Sequence, residues 1–365
     1  MSAKLPFTPY QLGDITLTNR FVMAPMTRSR AINNLPNTLI QEYYSQRSTA
    51  GLIITEGTAP SPDGLGYARM PGIYSNEQIA EWRQVTDAVH RRGGKIFVQL
   101  MHTGRVSHPL NMPAGTQVLA PSAVACNTEV WTDSDGSQPL PVPHEMTPGD
   151  ITATQVEFVQ AARNAIAAGF DGVELHAANG YLLEQFLAPS SNQRTDDYGG
   201  SITNRARFVL EIARAVSKAI GARKTAVRLS PYGTFNDIAP YAETEEAYSY
   251  LAEELQKLDL IYLHLADQGN APESIRRIIR QKFRNTLILA GGYDLERTEE
   301  ALNSGFANLV AFGRPYIGNP DLTERYRNNW PLEKNIDTTT FYSAGAKGYT
   351  DYPAYQLEEV AQLVS

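Results

Sequence analysis

Short runs of apolar, largely β-branched residues alternate along the chain with longer segments whose apolar positions recur every three or four residues. The short runs are FVMAPM (21–26), LIITEG (52–57), KIFVQLMH (95–102), GVELHAA (172–178), TAVRLSP (225–231), LIYLHLAD (260–267), LILAGGY (287–293) and LVAFGRPY (309–316). Most are continuously apolar, as strands of a parallel sheet covered on both faces are. Between them, NEQIAEWRQVTDAVHRRGG (76–94) spaces Ile79, Trp82, Val85 and Val89 on one helical face and stops at a glycine pair. TPGDITATQVEFVQAARNAIAAGF opens with capping and acidic residues, and ITNRARFVLEIARAVSKAIG and TEEAYSYLAEELQKL follow the same pattern. Repeated strand–helix units of this kind predict an α/β fold, a closed (β/α)8 TIM barrel.

Three segments depart from the repeat. YQLGDITLTNR turns at Gly13–Asp14 between alternating stretches, which predicts an N-terminal hairpin plugging the barrel floor. Residues 103–148, between the third strand and its helix, are long and proline-rich, and predict a capping insertion or lid. The tail after Pro331, with TTTFYSAGAKGYTDYPAY, is aromatic and glycine-rich. Nothing marks a second domain, so a single barrel domain is expected over residues 1–365.

Composition narrows the classes of function. With 42% hydrophobic residues the chain has material for a large core, and a net charge of −7 lacks the basic footprint of a nucleic-acid binder. Cys126 is the only cysteine, which excludes an internal disulfide, a CxxC redox pair and a cysteine-ligated cluster, and fits a reducing compartment. MSAKLPFTPYQLG has no apolar signal core, and no run of apolar residues is long enough for a membrane span. A cytoplasmic protein with small-molecule partners, and neither nucleic acid nor membrane among them, is expected.

In a barrel of this type chemistry sits at the C-terminal ends of the strands. Those ends here carry Pro25, Met26 and Thr27; Glu56 and Gly57; Gln99 and His102; His176 and Asn179; Arg228 and Ser230; His264 and Asp267; Gly291 and Gly292; Gly313 and Arg314. A rim residue serves as readily to cap the next helix as to act on a ligand. Three of the six histidines fall on this list, yet no H-x-H ends the first strand and no H-E-x-x-H occurs. Glu174 and His176 form the best metal-ligating pair and are one ligand short, so no metal is expected. AGGY after the seventh strand and FGRPY at the eighth suit phosphate, with glycines admitting close backbone approach and Arg314 supplying charge.

Taken in order and spacing, NRFVMAPMTRSRA (19–31), LIITEGT (52–58), FVQLMHTGRVSH (97–108), DGVELHAANGYLLEQFLAPSSNQRTDDYGGSITNRARF (171–208), VRLSP (227–231), AGGY and FGRPYIGNPDL (312–322) resemble the old yellow enzyme family of flavin-dependent ene-reductases. The resemblance covers nearly the whole chain. It implies tightly bound, non-covalent FMN, reduced by NADPH or NADH, and reduction of the activated C=C bond of an α,β-unsaturated carbonyl compound. Nitro compounds, which present similar oxygens, are implied as well. Hydride would pass from flavin N5 and a proton from a tyrosine, with both half-reactions using one flavin face in turn and ping-pong kinetics.

By the family's pattern Pro25, Met26, Thr27, Gly57 and Gln99 would meet the isoalloxazine ring, Arg228 its N1/O2 edge, and Gly291, Gly292, Gly313 and Arg314 the phosphate. His176 and Asn179, three apart as on one helical turn, would donate to the substrate oxygen, and Tyr181 would supply the proton. Tyr67, Met101, Asn236 and Tyr342 would line the substrate pocket, although Tyr67 and Tyr342, like Tyr181, also suit simple packing. The alternative for Arg228 is a core ion pair with Glu56 or Glu174. Family members often carry Trp at Met101 and Gln at Asn236, which implies a less bulky, more adaptable wall here. Thr27 and Asn179 place the chain in a Thr/Asn branch. The alternatives are another FMN-barrel oxidase or dehydrogenase, and a non-catalytic barrel that binds a phosphate ligand.

Overall fold

The computed structural model describes residues 4–267 and 269–355. The ends of the domain expected over 1–365 lie outside the described residues. Eight parallel strands close into a barrel: β1 (Phe21–Met23), β2 (Leu52–Thr58), β3 (Ile96–Leu100), β4 (Gly172–Ala177), β5 (Thr225–Leu229), β6 (Tyr262–Ala266), β7 (Thr286–Ala290) and β8 (Leu309–Phe312). Each strand pairs with the next in the chain, and β8 closes onto β1 with Val310 opposite Phe21. Every residue of these strands is buried, which is why they are continuously apolar rather than alternating.

The outer layer holds α1 (Thr38–Gln46), α2 (Asn76–Arg91), α3 (Pro148–Ala167), α4 (Leu182–Leu187), α5 (Ile202–Ile220), α6 (Thr244–Lys257), α7 (Glu273–Lys282), α8 (Leu295–Asn303), α9 (Arg314–Gly318) and α10 (Leu322–Asn328). Their starts follow local chemistry. Ser75 and Gln78 form a capping box on α2, and Thr147 and Asp150 another on α3, each satisfying N–H groups the helix leaves unpaired. Trp82 of α2 is fully buried, donates its indole N–H to the Gly72 carbonyl at 3.0 Å, and stacks edge-on against Phe170 at 5.3 Å. Burying such a side chain contributes roughly 3 kcal/mol. Among the described residues no helix is long and apolar enough to cross a membrane.

The N-terminal hairpin pairs Tyr10–Leu12 with Ile15–Leu17, and Leu12 and Leu17 pack on the lower barrel residues Val22, Leu52, Phe97 and Ile261. Residues 103–147 form an insertion with its own short pairings. Leu119–Ala120 runs beside His144–Glu145, and Glu129–Thr132 forms a hairpin with Gly136–Pro139. Two buried arginines fix the C-terminal tail. Arg28 donates to the carbonyls of Phe341 (3.1 Å) and Gly348 (2.7 Å), and Arg30 to those of Phe341, Thr340 and Gly345 at 2.8, 2.8 and 3.2 Å. Charged donors to carbonyls outrank neutral ones, so this staple holds Phe341 and Tyr342 against the barrel mouth.

Several apolar runs extend past the ladder. The eighth run reaches Tyr316, whereas β8 ends at Phe312 and Arg314 begins α9. The seventh reaches Tyr293, whereas β7 ends at Ala290, because Gly291 and Gly292 turn away at φ 141° and 64°. The first ends at Met23, short of Pro25, which has no N–H to give a ladder.

Candidate active site

At the C-terminal ends of the strands lies a cavity of about 740 Å³. It is lined by Pro25, Met26, Thr27, Gly57, Gln99, Met101, His176, Asn179, Tyr181, Arg228, Arg314, Tyr67, Asn236 and Tyr342. The residues given separate roles by the family's pattern therefore meet around one space. Gly291, Gly292 and Gly313 stand just outside its lining, in the turns that follow β7 and β8. A Cβ at Gly291 would lie 2.3 Å from the Asp267 carbonyl oxygen, so only glycine allows this approach. The hairpin of the insertion adds Glu129, Val130 and Trp131 to the cavity, and the stapled tail adds Phe341.

Strand register places the polar groups. His176, Arg228 and His264 are direct neighbours across β4, β5 and β6, and Glu174 is opposite Gln99. Glu174 is occupied: Oε1 accepts from Gln99 Nε2 at 2.8 Å, and Oε2 pairs with His264 Nδ1 at 2.9 Å. It is thus not free for a metal, and among the described residues no group of three or more His, Cys, Asp and Glu is gathered as metal ligands would be. His102, also at a strand end, is buried, accepts the Gly104 N–H on Nδ1 at 3.1 Å, and is pushed down to about 3 by burial. It is not among the residues that line the cavity.

His176 and Asn179 do not share a helical turn. β4 ends at Ala177, and Asn179 and Gly180 then take left-handed conformations, φ 57° and 75°, that reverse the chain into α4. Asn tolerates this region better than most residues. A Cβ on Gly180 would fall 2.6 Å from the Phe235 carbonyl and 2.7 Å from Asn236 Cβ, so glycine is needed for the loops to meet. Across that contact Asn236 donates to the Asn179 carbonyl at 2.8 Å. Asn236 therefore braces Asn179 as well as lining the cavity.

Electrostatics separate the groups further. Burial, with Arg228 and His264 adding to it, holds His176 well below its ordinary value, so it is neutral at pH 7 and has one N–H to donate. Tyr181 is buried, stands edge-on to His176 with ring centroids 4.9 Å apart, and shares a 2.9 Å hydrogen bond with Tyr67. Burial pushes Tyr181 up to about 12 and Tyr67 well above its usual range. Arg228 is buried, which lowers it, and the Glu174 carboxylate partly offsets this through space, but neither suggested core partner forms an ion pair with it among the described residues. Glu56 instead accepts from the Arg28 N–H at 3.2 Å and Tyr44 at 3.4 Å, while among the described residues no ion pair joins Arg228 to Glu174.

Among the described residues Arg228 Nε and His176 Nδ1 are buried without a hydrogen-bond partner. A buried guanidinium with unused donors is costly unless a ligand satisfies it. An anionic or oxygen-edged planar ring meets that need, and the cavity volume is within the range of small-molecule sites. Gly57 leaves room for the Met101 side chain, which a Cβ there would meet, Gly313 lies in ordinary contact range of Met26, and Arg314 is exposed at the mouth. The residues present fit FMN. Sequence reasoning missed Arg28 and Arg30, whose tail partners lie about three hundred residues away, and Glu184, whose partners also come from distant segments.

Residues 5–333 match the NADH:flavin oxidoreductase / NADH oxidase family. The chain is 40% identical to 12-oxophytodienoate reductase 7 of Oryza sativa subsp. japonica, over 95% of this chain and 94% of that protein. It is 42% identical to a probable flavin mononucleotide-dependent alkene reductase of Leishmania infantum, over 94% and 96% of the two chains. Its fold is similar to the structure of morphinone reductase in complex with tetrahydroNAD, with a TM-score of 0.92, 45% identity and coverage of 96% and 98%. The family match takes in the barrel strands and the cavity lining other than Phe341 and Tyr342, and by sequence and fold together the chain belongs to the NADH:flavin oxidoreductase / NADH oxidase family, the old yellow enzyme family of FMN-dependent barrels.

Proposed function

We propose that this chain reduces the activated C=C bond of α,β-unsaturated carbonyl compounds, and nitro analogues, using FMN and a nicotinamide reductant. The observation that carries the reading is the convergence on one cavity of a neutral His176, Asn179, an un-ionised Tyr181 and an Arg228 whose Nε has no hydrogen-bond partner among the described residues. Bound FMN would supply the hydride chemistry that links the nicotinamide to the alkene β-carbon. Pro25, Met26, Thr27, Gly57 and Gln99 would hold the ring, Arg228 its N1/O2 edge, and Gly291, Gly292, Gly313 and Arg314 the phosphate. A fixed guanidinium favours negative charge beside it.

His176 and Asn179 bind the carbonyl oxygen and stabilise the negative charge it gains as the β-carbon is reduced. Tyr181 then protonates the α-carbon, with Tyr67 hydrogen-bonded to the hydroxyl that loses the proton. Tyr67, Met101, Asn236 and Tyr342 shape the wall around the substrate, and the hairpin of the 103–148 insertion acts as the lid. The free, buried Cys126 supports a reducing, cytoplasmic setting, and the net charge of −7 favours small molecules over nucleic acid.

Anaerobic assay with NADH or NADPH and 2-cyclohexenone or an N-substituted maleimide tests the reading. Turnover with ping-pong kinetics is expected. Flavin-loaded protein inert toward every activated alkene would favour an FMN-barrel oxidase or dehydrogenase, and protein that stays colourless after FMN is added would favour a non-catalytic phosphate-ligand barrel. Arg314→Ala is expected to weaken FMN retention by about three- to tenfold, measured by flavin fluorescence on titration, because one exposed cation is lost. Unchanged FMN affinity would remove Arg314 from the phosphate site.

A further inference from the structure

Glu184 is the one charged residue of α4 and is 2% exposed. Among the described residues no cation pairs with it; its carboxylate instead gathers neutral donors from three segments. Oε2 accepts the Gly180 N–H at 2.6 Å, and Oε1 accepts the hydroxyls of Ser230 at 2.7 Å and Tyr248 at 2.8 Å. Ser230 Oγ in turn accepts the Asn179 N–H at 2.8 Å. Both amides of the left-handed Asn179–Gly180 turn are thereby tied to one carboxylate, one directly and one through a hydroxyl.

We propose that Glu184 is a positioning residue for carbonyl binding: it holds the Asn179–Gly180 turn through Gly180 and Ser230, and so sets where the Asn179 amide and the Tyr181 hydroxyl point in the cavity. An ionised carboxylate is acceptor-only and suits the three donors that meet it. A protonated one has a hydroxyl of its own to place and must turn one donor away. Left-handed backbone at a non-glycine residue is costly and persists only where its surroundings impose it, and here the carboxylate is that constraint.

The inference has a pH signature. Burial pushes Glu184 up to about 7, against the lowering effect of Gly180, Ser230 and Tyr248. The titratable side chains facing it are Tyr248 and Tyr241, and burial raises both, so both stay un-ionised there. Arg205 lies over the far ring of Tyr241, 5.4 Å from its centroid, and is paired with Glu243 at 3.3 Å. Glu184 is thus the group of this cluster that changes charge near neutrality. The ionised form makes all three bonds, so carbonyl affinity rises as pH rises through about 7.

The inference rests on the alkene-reductase reading, and its test keeps the two apart. FMN-loaded wild type, E184Q and E184A are compared by KM and kcat for 2-cyclohexenone across about two pH units either side of neutrality. Hydrogen exchange at Asn179 and Gly180 is followed in the same samples. Wild-type KM should fall about three- to tenfold as pH rises, the scale of one hydrogen bond. E184Q, which keeps the shape and an acceptor, should flatten that dependence with a modest rise in KM while the variant still folds and retains FMN. E184A should raise KM about tenfold or more and speed exchange at both amides. A wild-type pH profile in E184Q, or unchanged KM in E184A, overturns the proposal. Should E184A fail to fold, the E184Q profile decides. Should wild type reduce no alkene, the functional reading fails, and exchange alone decides: faster in the variants upholds the hold on the turn, unchanged refutes it.

Discussion

Removing both carbonyl donors, His176→Ala together with Asn179→Gly, should lower kcat/KM for 2-cyclohexenone by roughly 10³-fold while FMN stays bound. A single donor aimed at a developing oxyanion is worth roughly 10²–10³ in rate, and two donors on one oxygen are not additive. Glycine is the right replacement at Asn179, because φ is 57° there and alanine would add backbone strain that has nothing to do with the lost amide. His176→Ala also removes a ring packed 4.9 Å from that of Tyr181, so His176→Gln, which returns a donor, serves as the control for packing. Burial keeps His176 neutral, with Arg228 and His264 adding to the effect, so His176 itself adds no pH dependence to the loss near neutrality. Affinity for a phenolic carbonyl mimic, titrated against the flavin spectrum, should fall in parallel. Loss of flavin from the variants would instead make His176 part of the cofactor site, and retained turnover would remove both residues from catalysis.

The barrel is legible in the chain because each strand is buried on both faces and several of the helices, α1, α2, α3, α5 and α8, begin at a side-chain cap. Strand ends are less legible, since apolar residues such as Phe312 and Tyr316 continue through a point where the ladder has already stopped. The same limit applies inside the site. The three-residue spacing of His176 and Asn179 suggests a helical turn, yet a strand end and two left-handed residues bring them to one cavity. The spacing identifies the pair and misses the geometry. LLEQFL gives no sign that Glu184 points inward, because the hydroxyls that demand it, Ser230 and Tyr248, lie 46 and 64 residues further on. Asn236 shows the same limit. Pocket lining follows from its match to the family, whereas its 2.8 Å bond to the Asn179 carbonyl depends on two loops meeting over Gly180.

Tyr181→Phe should slow alkene reduction by about 10²-fold and leave the rate of flavin reduction by NADH or NADPH within roughly twofold, because only one half-reaction needs a proton donor. Phenylalanine keeps the ring against His176 and removes the hydroxyl alone. The sign of the pH dependence follows from the environment. Burial raises Tyr181 to about 12, which penalises the phenolate and keeps the acid form populated at all pH values below that point. Once Glu184 is ionised, the proton-donating step in wild type should therefore be flat with rising pH, and an alkaline limb should come only as Tyr181 itself is lost. A strongly buried acid is also a reluctant donor unless its phenolate is stabilised, and Tyr67 is placed for that, 2.9 Å from the Tyr181 oxygen. Tyr67→Phe should then slow the same step by about three- to tenfold, the value of one hydrogen bond, without changing the flat profile. Rapid-mixing of reduced enzyme with 2-cyclohexenone in H₂O and D₂O reads the step directly. A solvent isotope effect present in wild type and absent or altered in Tyr181→Phe is expected. Unaltered alkene turnover in Tyr181→Phe would assign the proton to solvent and leave Tyr181 as a wall of the pocket, and an alkaline limb near neutrality would mean that a different group is the acid.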